Sequence, residues 1–134
     1  MRILLTGAAG DVGGRLRKLL KPIYPDLRLS DLKTPAGLEP GEEFVPADVS
    51  RMEDVERAVA GIEGIVHLGA YSIEGSWETI HQANIVGCYN LFEAARRMGI
   101  RRVVFASSNH AVGFYPRHRR IGVDVTVRPD SFYG

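Results

Sequence analysis

Ile3-Leu4-Leu5-Thr6-Gly7-Ala8-Ala9-Gly10-Asp11-Val12-Gly13-Gly14 reads as a short apolar strand, a turn with glycines at 7, 10 and 13, and the start of a helix. Such a turn aims backbone N–H groups and a helix N-terminus at one point, and that point suits a phosphate. The stretch predicts a dinucleotide-binding unit that opens the chain with no leader before it.

Strand and helix signals alternate from there. Residues 2–6 read as a buried strand. Residues 11–21 read as a helix with Val12, Leu16, Leu19 and Leu20 on one face, stopped by Pro22. Residues 27–30 are a second strand, 34–42 a Pro- and Gly-rich loop, and 43–46 a weak third strand. Ser50, with Glu53 three residues on, has the spacing of a capping box for the next helix, which Gly61 ends. Residues 64–68 are a fourth strand. Residues 76–98 read as one long helix with Ile80, Asn84, Cys88, Leu91, Phe92 and Ala95 along one face, closed by Gly99. Residues 102–106 are a fifth strand, apolar on both faces as a central parallel strand is.

This alternation predicts an α/β fold: a doubly wound parallel sheet of the Rossmann type, strand order 3-2-1-4-5, with a ligand crevice between strands 1 and 4. The 134 residues leave room for one domain, residues 1–134. Ending soon after strand 5 would leave an apolar sheet edge. The expectation is therefore the N-terminal portion of a longer protein, cut before the later strands and the substrate-binding region.

Composition narrows the class. A net charge of +1 gives no footprint for nucleic acid or a membrane surface. The single cysteine, Cys88, excludes an intrachain disulfide and a four-cysteine zinc site. It reads as a small buried hydrophobe. His67 and His81 read as structural, and no metal site is expected. No apolar run has the length of about 18 residues that a bilayer span needs. A cytoplasmic protein is expected.

Asp31 ends the second strand 24 positions after Gly7. A carboxylate there can accept both hydroxyls of an adenosine ribose and would repel a 2′-phosphate, which favours NAD over NADP. Lys33 nearby reads as a solvated lysine. Gly69 and Ala70 are small enough to let a cofactor lie across the end of strand 4. Asp11 suits a helix N-terminus but not a phosphate. It is expected to point away, leaving the N–H groups of Asp11 and Val12 for the contacts. Asp48 reads equally as a partner for the adenine amino group or as helix-entry polarity.

The spacing GxxGxxG, with Asp31, Asp48-Val49, His67-Leu68-Gly69-Ala70, Asn84 with Gly87, and Ser107-Ser108 after strand 5, resembles the extended branch of the short-chain dehydrogenase/reductase superfamily, the NAD-dependent epimerases and dehydratases. The resemblance covers essentially the whole chain. It implies NAD as cofactor, held by Gly7, Gly10, Asp11, Val12, Gly13, Asp31, Asp48, Val49, Leu68, Gly69, Ala70 and Asn84. It also implies a catalytic pair, Ser108 and Tyr133. The family's lysine, four positions after the tyrosine, lies beyond residue 134. A tyrosine ionises near pH 10 in water, so it becomes a useful base only beside cations such as that lysine.

Nucleotide-sugar epimerases and dehydratases typically carry SSxxVYG after strand 5. Here the run is Ser107-Ser108-Asn109-His110. With Ser72, Tyr89-Asn90-Leu91-Phe92-Glu93-Ala94-Ala95 and the closing Arg128-Pro129-Asp130-Ser131-Phe132-Tyr133-Gly134, that run resembles the uronate dehydrogenases. Those enzymes oxidise C1 of a hexuronic acid to an aldarolactone with NAD. The resemblance implies a sugar site lined by Ser72, Ser108, Asn109, His110 and Tyr133. His110 reads as a ligand or as packing against its loop. Arg117, His118, Arg119 and Arg120 read as a carboxylate clamp or, more simply, as a solvated loop. Trp77 is expected at the start of the long helix near the substrate mouth. Three other readings remain: a nucleotide-sugar epimerase or dehydratase, a non-catalytic NAD-binding sensor, and an inactive fragment. Family analogy suggests a homo-oligomer.

Overall fold

β1 (Ile3–Thr6) lies at the centre of a five-stranded parallel sheet in a computed structural model that describes residues 1–134. β2 (Leu27–Ser30) and β3 (Glu43–Phe44) flank it on one side, and β4 (Gly64–His67) and β5 (Arg102–Phe105) on the other. The order is β3-β2-β1-β4-β5, as the alternating pattern predicts.

Side chains along a strand alternate between the two faces. Ile3 and Leu5 pack with Leu27, Leu29 and Ala8, against Leu16 and Leu20 of α1 (Asp11–Leu20). Leu4 points the other way, into a larger core with Ile65. There it meets Val55, Ala58 and Val59 of α2 (Met52–Val59) and Leu91, Ala94 and Ala95 of α4 (Gly87–Arg97). Burying each Leu or Ile contributes about 1.5–3 kcal/mol. Both faces are covered, so β1 reads as an unbroken apolar run.

Arg28 is the polar exception inside the sheet. Its guanidinium donates to Ala58 O (2.9 Å) and Ala60 O (2.6 Å) at the end of α2, and to Glu43 (2.7 Å). A strand residue thus caps a helix that its own chain reaches 30 residues later.

Three local expectations are corrected. α1 does not bury Val12 and Leu19, which are 65% and 68% exposed; Gly13 and Arg17 are buried instead. Arg17 tolerates this because it pairs with Glu42 and donates to the carbonyls of Ala36 and Gly37, which fixes the loop after β2. The capping box does not form. The Ser50 hydroxyl and amide both turn back to Asp48 Oδ1 (2.7 and 2.9 Å), so α2 starts at Met52 with no side-chain cap. The long helix is broken into α3 (Trp77–Ile80), a π-helical segment (His81–Val86) and α4. β5 is the edge strand that the order 3-2-1-4-5 implies, and its apolar side chains stand open: Val104 is 65% exposed and Phe105 46%.

Cys88 is half-buried in α4, and burial pushes its thiol above the ordinary value. No helix is long and apolar enough to cross a membrane.

Candidate functional site

The C-terminal ends of β1, β4 and β5 share one edge of the sheet, and the sequence-predicted residues gather there. Gly7 has φ +67°, and a Cβ on it would lie 2.8 Å from the Leu68 carbonyl group. A Cβ on Gly13 would collide with the Gly7 carbonyl oxygen, so this glycine lets α1 sit down on the turn. Gly10 is different. Its nearest neighbour would be 3.4 Å away, an ordinary contact that the fold itself tolerates. Gly10 is the N-cap of α1 and offers no side chain to the first-turn N–H groups, which remain for a partner from outside. Asp11 and Val12 are exposed there.

Asp31 stands one residue past β2. Its Oδ2 accepts the Ala9 N–H at 2.9 Å and its Oδ1 the Lys33 N–H at 3.4 Å. The carboxylate is thereby held on the rim of the glycine turn, with lone pairs to spare.

Thr6 ties that turn to the end of β4. Its hydroxyl oxygen accepts N–H groups from Leu68 (3.1 Å) and Gly69 (3.0 Å). Both lone pairs are then used, so the Thr6 O–H donates to His67 Nδ1, 2.7 Å away. His67 is therefore neutral, with its proton on Nε2. Burial agrees, holding its pKa down at about 4. The backbone of Leu68 and Gly69 is fixed by these two side chains, and neither was legible as part of a site. The one signal available was a threonine and a histidine at matching strand ends.

Asp48 and Val49 follow β3, and Val49 is held from α4: Asn90 Nδ2 donates to Val49 O at 3.0 Å. A Cβ on Gly87 would lie 2.6 Å from Val49 Cγ2, so Gly87 admits this approach. Asn84 lies in the π-helical segment. Its Oδ1 accepts the Tyr71 N–H (2.8 Å) and its Nδ2 donates to Tyr71 O (3.0 Å), so its amide is committed to the loop that carries Ala70 and Ser72. π-Helical turns recur at functional sites.

After β5 the chain makes a 3₁₀ turn, Asn109–Val112. Ser108 caps it by accepting the His110 N–H at 3.2 Å. Residues 128–134 then return across this turn: Arg128 N–H donates to Ala111 O (2.8 Å) and Asp130 N–H to His110 O (3.3 Å). His110 Nδ1 lies 2.9 and 3.0 Å from the two Asp130 oxygens, and the Asp130 carboxyl sits below its usual range because of that bond. Tyr133 meets the His110 ring edge-on at 5.5 Å, and its N–H donates to Glu74 Oε2 (3.1 Å) in the loop after β4. Trp77 packs on Phe132 at 5.6 Å. Ser108, Asn109, His110 and Tyr133 are thus brought to one corner, with the loop of Ser72 joined through Glu74.

The basic cluster is less committed. The guanidinium groups of Arg119 and Arg128 lie 4.7 and 5.2 Å from the centre of the Tyr115 ring, as cation–π partners, and Arg117 and Arg120 are exposed. This is the geometry of an ordered surface loop. One concavity of about 290 Å³ lies at the opposite end of the strands, lined by Arg2, Asp26, Leu27, Gly41 and Glu43. No three His, Cys, Asp or Glu side chains converge in a way that could hold a metal ion.

Residues 3–134 match the model of the NAD dependent epimerase/dehydratase family. The uronate dehydrogenase of Agrobacterium fabrum is 52% identical over 133 residues, which are 99% of this chain and 50% of that protein. The uronate dehydrogenase of Pseudomonas syringae pv. tomato is 46% identical over 134 residues, 99% of this chain and 49% of that protein. A solved structure of a mutant uronate dehydrogenase from Agrobacterium tumefaciens, complexed with NAD, superposes with a TM-score of 0.91 at 50% identity, covering 96% of this chain and 49% of that one. The chain spans about half the length of these relatives. A glycine turn feeding an uncapped helix, a carboxylate on its rim and a Ser–Tyr corner after β5 accord with that match: the chain belongs to the NAD-dependent epimerase/dehydratase family.

Proposed function

We propose that residues 1–134 are the NAD-binding domain of a uronate dehydrogenase. The reaction is oxidation of C1 of a hexuronic acid, glucuronate or galacturonate, to an aldarolactone. The observation that carries this reading is the return of residues 128–134 across the turn after β5, with Tyr133 beside His110 and against the loop after β4. Identity of 52% to a uronate dehydrogenase supports it.

The turn suits NAD. The α1 N-terminus lacks a side-chain cap, Gly10 leaves room for a pyrophosphate, and Asp31 keeps lone pairs for the ribose hydroxyls. The first-turn N–H groups, among them those of Asp11 and Val12, would meet the pyrophosphate. When bound, NAD supplies the acceptor for the hydride that leaves C1. Tyr133 takes the proton of the C1 hydroxyl. Ser108 donates a hydrogen bond to the same oxygen as charge develops on it. Ser72 and Asn109 offer donors and acceptors to the remaining hydroxyls. A dissociable cofactor and a free sugar acid fit a reaction in the cytoplasm.

The test is formation of NADH by the full protein with glucuronate, galacturonate and, as contrast, UDP-glucose. NADH with a uronate and none with the nucleotide sugar is the expected result. No NADH with either acid defeats the reading.

A further inference from the structure

His110 is held more firmly than a loop histidine needs to be. Asp130 places both carboxylate oxygens on Nδ1, at 2.9 and 3.0 Å. Ser131 Oγ donates to Asp130 Oδ1 at 3.0 Å, and the Asp130 N–H donates to His110 O. The turn also makes room for this carboxylate. A Cβ on Gly113 would collide with Asp130 Oδ2, so a glycine at 113 is what lets the carboxylate lie there. Ser131, Gly113 and the backbone of His110 therefore all hold the Asp130 carboxylate against one ring nitrogen 20 residues away in sequence.

An ionised carboxylate is an acceptor only. It selects the imidazole tautomer with the proton on Nδ1 and leaves a lone pair on Nε2. The half-exposed ring stands edge-on to Tyr133. This is the reverse of His67, whose Nδ1 accepts and whose Nε2 carries the proton. In their neutral forms the two histidines at this edge of the sheet present opposite hydrogen-bonding faces.

We propose that Asp130 is a positioning residue: it fixes His110 so that Nε2 accepts a hydrogen bond from a hydroxyl of the sugar acid, with Gly113 providing the space for the carboxylate. A lone pair on Nε2 repels a carboxylate, so the substrate's carboxylate faces elsewhere. The substrate half of this inference rests on the sugar-acid reading above; the tautomer half does not.

The experiment is ¹⁵N spectroscopy of the His110 ring at a pH where it is neutral, in the full protein, beside steady-state kinetics with a uronate. The expected signature is protonated Nδ1 and bare Nε2. Asp130→Asn keeps the shape but lets the amide donate to Nδ1, which favours the other tautomer, as an amide does opposite a catalytic histidine. It should move the signature to protonated Nε2 and raise KM for the uronate about ten-fold, with kcat changed less. Gly113→Ala displaces the carboxylate and should move the signature the same way. A native His110 with protonated Nε2, or a signature that neither variant moves, overturns the proposal. A signature that moves with KM unchanged overturns its substrate half. If the native protein oxidises no uronate while the signature is as expected, the dehydrogenase reading falls and the Asp130–His110 lock stands.

Discussion

On the β1 side of the site, atoms are held by sterics and burial. Gly7 and Gly13 have no room for a side chain, Thr6 and His67 are buried, and Arg17 with Glu42 anchors the loop that follows Asp31. On the β5 side, Ser108, Asn109, His110 and Tyr133 hang from an exposed edge strand through polar contacts near the surface. Each such contact is worth roughly 1 kcal/mol, and exposed ion pairs often less. The β1 side is therefore built before any ligand arrives. The β5 side is cheap to rearrange, and its geometry depends on a small set of latches. A substitution should damage stability on the first side and turnover on the second.

The largest expected effect is on turnover. Tyr133→Phe should lower kcat of the full protein by about 10²–10⁴-fold, the usual worth of a positioned acid or base, and leave NAD affinity unchanged in titrations. A substantially active variant would remove Tyr133 from the chemistry. A loss of NAD affinity would mean that the two halves are not separable.

On the β1 side the contrast is between neighbours. Gly13→Ala should cost about 3 kcal/mol in denaturant unfolding, because the new methyl meets the Gly7 carbonyl. Gly14→Ala meets nothing within 4 Å and should stabilise by about 0.5–1 kcal/mol, the propensity gain of a helical alanine. Equal effects at the two positions would break the steric account.

His67 gives the comparison a pH axis. Its folded-state pKa is about 4, below the ordinary 6.5. A depressed histidine contributes stability above about pH 6.5 and loses it as pH falls toward 4, by about 3 kcal/mol. His67→Asn keeps an acceptor for the Thr6 hydroxyl and does not titrate, so it should flatten this slope in unfolding midpoints between pH 7 and 4. An unchanged slope would place the acid sensitivity elsewhere. The smallest effect is on cofactor choice: Asp31→Ala should weaken NAD binding about ten-fold and relax discrimination against NADP, read by titration with each dinucleotide.

The sheet was legible because its signal is local: apolar runs bounded by glycines. The face of α1 was not. Arg17 is buried because Glu42 lies 25 residues further on, and a helical window cannot see that partner. Ser50 and Glu53 satisfy the spacing of a capping box, but Asp48 competes for the Ser50 hydroxyl and wins over a shorter path. The π-helical segment leaves no mark on a 3.6-residue period, although Asn84, the residue it presents to Tyr71, stood out by type. In the corner after β5 the serine, asparagine, histidine and tyrosine were legible by kind. Asp130 carries no such mark, because its contact with His110 depends on a chain reversal between residues 113 and 128 that no local pattern encodes.

The Thr6 hydroxyl has a consequence in time as well as in space. The amides of Leu68 and Gly69 lie beyond the last ladder pair of β4, where strand-end protons ordinarily trade with solvent quickly. Here they exchange only once the buried Thr6 hydroxyl lets them go. Their protection against deuterium is thus a built-in clock for how often the seam between the ends of β1 and β4 breathes open.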